Sequence, residues 1–301
     1  MIRKIVFLVI FLSSILPSHL KAGWVITEKI SNSPGYNTYQ TIFIQDKMIR
    51  YDGPTMVSIM NLENQKITLL FSQHKAYWQG SAYQLSSQFR SVMLKQLQML
   101  IQHAPESEKD TLRKVFIKMR SGKDTLTVDS KSLPIIKIKN LHQNKTIAGY
   151  NATAFQVFLD SIPIEKIWYT TQIKPYENVD VKKLIELSKA INPTSPAFLI
   201  TSSSVYIKLL KNGLVLKRII NQPTKIDKVT TIVKVRNVNI KEGIFDIPYD
   251  YIPITLHEVM QLDINRDILN SKSNISNSGT RIALPPPFPN KNKDPFRNKF
   301  Q

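Results

Sequence analysis

The sequence predicts an α+β fold built on an antiparallel, hairpin-connected sheet. Three observations carry this. Short segments rich in β-branched and aromatic residues recur at regular spacing from Trp24 to Trp78. A second block of the same kind runs from Leu133 to Val238. Between and within them lie stretches whose apolar residues keep a helical period.

In the first block, Trp24–Ile30 is a strand, Ser31 to Gly35 a turn, and Tyr36–Gln45 a second strand. Asp46-Lys47 turns the chain into Met48–Asp52, and Gly53-Pro54 breaks it again. Met56–Leu62, the turn Glu63–Lys66, Ile67–Phe71 and Lys75–Trp78 complete the meander. A helix follows, with Ser86 as the expected N-cap and Phe89, Val92, Met93, Leu97, Leu100 and Ile101 on one stripe as far as His103. Pro105-Glu106 opens a second helix with the stripe Leu112, Val115, Phe116 and Met119, ended by Ser121-Gly122. Met93, Met99 and Met119 are expected to serve as core packing.

The second block reads as strands Leu133–Asn140, Lys145–Ala148 and Ala152–Leu159, the turn Asp160-Ser161, and Ile162–Gln172. Asp180 caps a third helix with Val181, Leu184, Ile185, Ser188 and Ile191 on one face, stopped by Pro193. Val205–Lys211 before Asn212-Gly213 fits either a hairpin strand or a helix closed by Gly213. Leu214–Ile220 and Lys228–Val238 are strands, and Phe245-Asp246-Ile247-Pro248 reads as a terminal edge segment.

The ends of the chain differ from this body. Arg3-Lys4, an apolar run from Ile5 to Leu16, and Pro17 to Ala22 form a secretory signal peptide over residues 1–22, cleaved after Ala22. The run is shorter than the ~20 apolar residues of a membrane span, and no Cys follows it, so no lipobox is present. The expectation is a periplasmic or secreted protein with no transmembrane segment in its mature chain. Residues 266–301, above all from Asn270, are rich in Asn, Ser, Lys and Pro, lack an apolar period and carry seven Lys and Arg against two Asp. They are expected to be a disordered basic tail. Residues 23–265 are then one domain, large enough to bury a core without disulfides, which the absence of Cys rules out.

Net charge is +19; the signal takes three basic and no acidic residues from that total, leaving +16. The lysines are spread evenly. This suits either a Lys-rich surface without a specific role or docking on an anionic envelope surface. The export signal argues against a nucleic-acid partner.

The chemistry-bearing residue types form no catalytic pattern. The five histidines have no i, i+3 or i, i+4 spacing, so no metal site is expected. Ser202-Ser203-Ser204 lacks a nucleophile elbow and reads as a loop or helix cap. Nine glycines form no phosphate-binding loop, and the carboxylates are scattered, so no cofactor and no acid–base pair are expected. The aromatics are the better lead: Tyr39, Phe43, Trp78, Phe158 and Trp168 lie on strands and are the candidate ligand-binding residues. In Tyr36–Gln45 and Ile162–Thr171 both strand faces carry apolar residues, more than a sheet covered on one side needs. Either a greasy cavity lies between sheet and helices, or the two simply share a core.

Several segments together resemble a family. Ile44-Gln45-Asp46-Lys47-Met48-Ile49-Arg50-Tyr51-Asp52, Ile67–Trp78, Ile147-Ala148-Gly149-Tyr150-Asn151-Ala152-Thr153-Ala154-Phe155-Gln156-Val157, Glu165–Tyr169, Asn212–Leu216 and Phe245–Pro248 with Tyr251 occur in the order seen in exported bacterial proteins of unknown function with the lipoprotein-carrier half-barrel (LolA/LolB-like) fold. The resemblance spans Gly23 to about Pro253. It implies a curved, half-open antiparallel barrel of about eleven strands with helices packed on its concave face. Gln45 replaces a glycine of that pattern, and Ala152 stands where Cys is frequent. No catalytic residue is implied. The expected function is that of a non-enzymatic binding or carrier protein for a lipid or acylated ligand; the alternative is an interaction protein docking on anionic envelope polymer through its basic surface and tail.

Overall fold

The computed structural model of the chain describes residues 22–33, 36–121, 135–191, 200–220, 228–241 and 243–259. The expected signal segment, except Ala22, and the expected basic tail lie outside them. The described strands are β1 (Ala22–Ser33), β2 (Tyr36–Gln45), β3 (Met48–Asp52), β4 (Val57–Asn61), β5 (Lys66–Phe71), β6 (Ala76–Ser81), β7 (Ile136–Ile147), β8 (Tyr150–Leu159), β9 (Ile162–Thr170), β10 (Leu214–Ile220), β11 (Lys228–Asn239) and β12 (Ile252–Pro253). The helices are α1 (Ala82–His103), α2 (Glu106–Arg120), α3 (Val181–Ile191) and α4 (Ser204–Asn212).

All twelve strands form one sheet in the order β12-β6-β5-β4-β3-β2-β1-β11-β10-β9-β8-β7. Two meanders, β1 to β6 and β7 to β11, are joined where β1 pairs with β11. Every pairing is antiparallel except that of β12 with β6. The sheet is curved and unclosed, with β7 and β12 at its edges. The architecture is therefore α+β, with one strand more than the resemblance implies.

Turn chemistry sets the register. The β7–β8 hairpin turns on Ala148 and Gly149, both at positive φ, between the paired residues Ile147 and Tyr150. Asn61 Oδ1 accepts the N–H groups of Glu63 and Asn64, closing the β4–β5 turn. Of Leu133–Asn140 and Lys145–Ala148, expected as separate strands, Ile136 to Asn140 and Lys145 to Ile147 belong to one strand, β7, and Leu133 and Pro134 lie outside the described residues. The pairing of β7 skips from Asn140 to Asn144, because His142 adopts φ 53° and gives its N–H to Asn140 Oδ1.

The first helix starts five residues before the expected cap at Ser86. Ser81 Oγ accepts from Gln84 N, and Gln84 Oε1 accepts from Ser81 N, so a capping box begins α1 directly at the end of β6. The glutamine is what the sequence reading missed. Asp180 caps α3 as expected, through Lys183 N at 3.2 Å. The ambiguous segment Val205–Lys211 is helical in α4, capped by Ser203 Oγ from Tyr206 N at 3.3 Å. Gly213 ends α4 in extended backbone rather than a left-handed cap. Its role is close approach: a Cβ there would stand 2.1 Å from the Thr170 carbonyl oxygen and 2.5 Å from the Tyr169 ring.

The main core lies between one face of the sheet, here the inner face, and the helices. Ile26, Ile42, Ile49, Met60, Ile67, Leu69 and Trp78 meet Leu85 of α1 and Val181, Leu184 and Leu187 of α3. Each fully buried aliphatic chain contributes roughly 1.5–3 kcal/mol. On the opposite, outer face, Val57, Ile59 and Leu70 are covered by Phe245, Ile247 and Tyr251. Phe245–Pro248 is thus no edge strand; it packs across the outer face, and the edge is Ile252–Pro253, parallel to β6. Thr255 and Glu258 then form a second reciprocal cap, and Leu256 enters the main core. Residues 243–259 accordingly wrap around one edge of the sheet.

Candidate binding surface

The register places an unbroken set of residues on the outer face of β1, β2 and β7–β11. One row across the strands reads Tyr39, Lys29, Thr231, Lys217, Trp168 and Ala154. The next reads Asn37, Ser31, Val229, Ile219, Lys166, Gln156 and Lys139. Lys234 and Arg236 of β11 share this face with Thr27 and Val25. No Asp or Glu occupies a position in these rows: Glu28 and Glu165 fall on the inner face, and Asp52, which shares the outer face beyond Thr41, lies on β3 and is paired with Arg50. Strand alternation, reset by the bulges in β10 and β11, separates the lysines from Glu28 and Glu165.

At the centre stands Trp168. Lys166 Nζ lies 4.8 Å from its ring centroid and Lys217 Nζ 5.3 Å, so two ammonium groups flank one indole. Lys166 is held by a 2.9 Å hydrogen bond to Gln143 Oε1. Burial pulls Lys217 below the usual lysine range, and the charges of Lys145 and Lys166 pull it further the same way. Three cations crowd together without a carboxylate between them, a cost that an incoming anion would offset.

The inner face opposite this site holds a buried charged group. Glu165 is 3% exposed, and its Oε2 lies 3.4 Å from Arg218 Nε. Arg218 Nη2 donates to the Tyr206 hydroxyl, which ties α4 to β10. Burial raises Glu165 above the usual carboxyl range against the opposing pull of Arg218 and the Tyr206 hydrogen bond. Glu28 is raised for the same first reason, with Arg218 and Lys228 opposing. Burial works to lower Arg218, but Tyr206, Glu165 and Glu28 outweigh it and hold the guanidinium above its usual range. Tyr51 and Tyr176 hydrogen-bond nearby, both raised by burial. These groups face core and helix, and they act as an internal brace.

The five aromatic candidates do not gather in one place. Trp78 is a core residue, 4% exposed, with its Nε1 donating to Gln88 Oε1 of α1. Tyr39 and Phe43 do share a face of β2, but it is the outer one, and Tyr39 is 58% exposed. Phe158 pairs opposite Lys137 at the far strands and is half-buried. Trp168 alone stands among convergent charged groups. Lys145, Lys166 and Lys217 near it are not a motif in the sequence because they are spread over three strands; only the register brings them together.

Two clefts accompany the surface. One of 490 Å³ is lined by Trp24, Gln45, Gln172, Lys174, Glu177 and Asn237 among others, and one of 460 Å³ between α3 and α4 by Lys182, Ser202, Ser204, Lys208 and Lys211. The first lining is chiefly polar; the second exposes more apolar than polar surface, from Ile207 and the lysine stems. Met99 of α1 is 51% exposed, so the expected core role does not hold for it. Among the described residues, no three His, Asp or Glu gather as a metal site, and no helix is long and apolar enough to cross a membrane.

No family model and no curated protein matches the chain. Among solved structures, it is similar to PNGF-II, at 12% identity and TM-score 0.34 over 79% of this chain and 32% of that one. It is also similar to MucB in complex with MucA(peri), at 8% identity and TM-score 0.32 over 76% of this chain and 55% of that one. The Pseudomonas aeruginosa MucA/MucB complex gives 8% identity and TM-score 0.33 over 76% and 56%. The chain thus spans between a third and just over half of these neighbours. Overlaps this partial assign neither activity nor partner.

Proposed function

We propose that this chain is an exported, non-catalytic binding protein that docks on an anionic polymer of the cell envelope through the outer face of β1, β2 and β7–β11. The observation that carries the reading is the carboxylate-free basic face. Lys29, Lys139, Lys166, Lys217, Lys234 and Arg236 stand on one side of the sheet, with exposed Tyr39 and half-buried Trp168 among them. The signal segment supports export, and the basic tail adds charge of the same sign. The sequence carries no nucleophile elbow around Ser202-Ser203-Ser204 and no metal-ligand spacing among its histidines. The alternative, a carrier for an apolar chain, needs an apolar cavity inside the half-barrel. The inner face meets closely packed helix residues instead, and the cleft between α3 and α4 is rimmed by Lys182, Lys208 and Lys211.

The test is retention of mature protein on beads carrying a polyanion, beside beads carrying neutral dextran. Retention at about 50 mM salt and release at about 500 mM is expected, because screening shortens the reach of surface charge. Equal behaviour on the two kinds of bead would contradict the reading. An apolar molecule recovered in stoichiometric amount from an organic extract of the protein would favour the carrier instead.

A further inference from the structure

We propose that the edge of the sheet at β7 is a docking site for an extended protein segment with alternating acidic and apolar residues, which adds to the sheet as a further antiparallel strand. This goes beyond the docking reading above, because it concerns the main chain at an edge of the sheet rather than the side chains on its face.

The chain treats its two sheet edges differently. At one, Ile252 N bonds to the Lys75 carbonyl at 3.0 Å and Ile254 N to the Tyr77 carbonyl at 2.8 Å, so a later segment lies along β6. At the other stands β7, twelve residues long, whose only strand partner among the described residues is β8. In an antiparallel ladder every second residue turns its N–H and C=O away from its partner strand. Between Ile136 and Asn140, ahead of the bulge, β7 therefore presents a row of main-chain donors and acceptors that an added strand can take.

The side chains specify which strand fits. Lys137 and Lys139, paired with Phe158 and Gln156, are exposed on the outer face. Ile136 and Ile138 alternate with them and join Ile200 and Leu209 in a small apolar cluster on the inner face. Ile138, Ile200 and Leu209 are only half-buried there, so the cluster has apolar surface left to cover. An added strand follows the same alternation, with acidic side chains beside Lys137 and Lys139 and apolar ones beside Ile136 and Ile138. A second copy of the chain does not fit. Antiparallel pairing of two β7 strands about Ile138 sets Lys137 of each against Lys139 of the other, and like charges directly opposite are destabilising. The lysines that keep copies apart favour an acidic partner.

The experiment uses full-length mature protein and labelled, end-blocked peptides of about ten residues, read by fluorescence anisotropy. One peptide alternates Glu and Val, and a second carries the same residues in separate blocks. Two more are the alternating peptide N-methylated at every Val or at every Glu, which removes donors along opposite edges of the strand. The alternating peptide should bind about tenfold more tightly than the block peptide, and one N-methylated form alone should lose that gain. Lys137→Glu/Lys139→Glu, checked for folding by circular dichroism, should instead prefer a peptide alternating Lys and Val. By nuclear magnetic resonance, every second amide of residues 136–140 should exchange rapidly in the free protein and become protected with the peptide. Equal binding of the alternating and block peptides, or of both N-methylated forms and their parent, would overturn the proposal. So would protection of all these amides in the free protein, which would mean that the chain fills its own edge. An unchanged preference in Lys137→Glu/Lys139→Glu would overturn the acidic pattern assigned to the partner. Failure of the alternating peptide beside polyglutamate that binds without protecting β7 would overturn this inference and leave the docking face standing.

Discussion

Along β3–β6 the outer face of the sheet is roofed by Phe245, Ile247 and Tyr251, while across β7–β11 the same face presents Lys139, Lys166, Lys217, Lys234 and Arg236. The strands record the difference. Val57, Ser58, Ile59 and Met60 of β4 are buried one after another, and so are Ile67 to Leu70 of β5, as strands covered on both sides must be. In β7 and β11 burial is intermittent and charged residues occupy the outer positions. One half of the sheet is sealed by its own chain; the other keeps its outer face basic. A face left polar and single-signed for several strands is a cost to folding unless a partner of opposite sign meets it.

The half without a roof is braced from one side only, so its largest liability is the buried charge cluster. Arg218→Met leaves Glu165 and Glu28 without their guanidinium and should cost about 3–5 kcal/mol at neutral pH, read by urea unfolding. The sign of the pH effect follows from the two carboxyls. Burial raises both above the ordinary glutamate range in the folded chain, so their protonated forms favour folding. That contribution is fully present below pH 4.5 and is lost as pH rises through the raised folded values. The deficit of Arg218→Met should therefore shrink toward acid pH; a deficit constant with pH would show that the cluster does not hold ionised carboxylates.

A smaller effect is expected in the roofed half. Phe245→Ala uncovers Val57, Ile59 and Leu70 and should cost about 2 kcal/mol, with little change in polyanion retention. If retention falls as stability does, the two halves are not independent. Smallest of all, Lys139→Gln on the exposed face should change stability by less than about 0.5 kcal/mol while weakening retention measurably at low salt.

The meander, the strand and turn order and three of the helices were legible because they rest on local signals: Asp46-Lys47, Asp160-Ser161, Asp180 before Val181, Pro105 before Glu106. What escaped was set by contacts distant in sequence. The capping box at Ser81 hid inside a strand-like run, and Asn140 joined two apparent strands through a bulge. The path of Phe245–Tyr251 depends on apolar residues nearly two hundred positions earlier. The binding surface was the least legible part. Aromatic residues on strands were visible, but their sidedness depends on register, and register put Trp78 inside and Trp168 among lysines. Bulges between Val215 and Lys217 and between Thr27 and Glu28 shift that sidedness again, so alternation counted along the sequence gives the wrong face beyond them.

The most direct test of the account is lysine-acetylation footprinting of mature protein with and without a saturating polyanion, read residue by residue by mass spectrometry. The account predicts protection of Lys29, Lys139, Lys166 and Lys217, with Lys47, Lys75 and Lys109, which are ion-paired elsewhere, unchanged. Protection spread evenly over all lysines, or concentrated at Lys182, Lys208 and Lys211 in the cleft between α3 and α4, would contradict it.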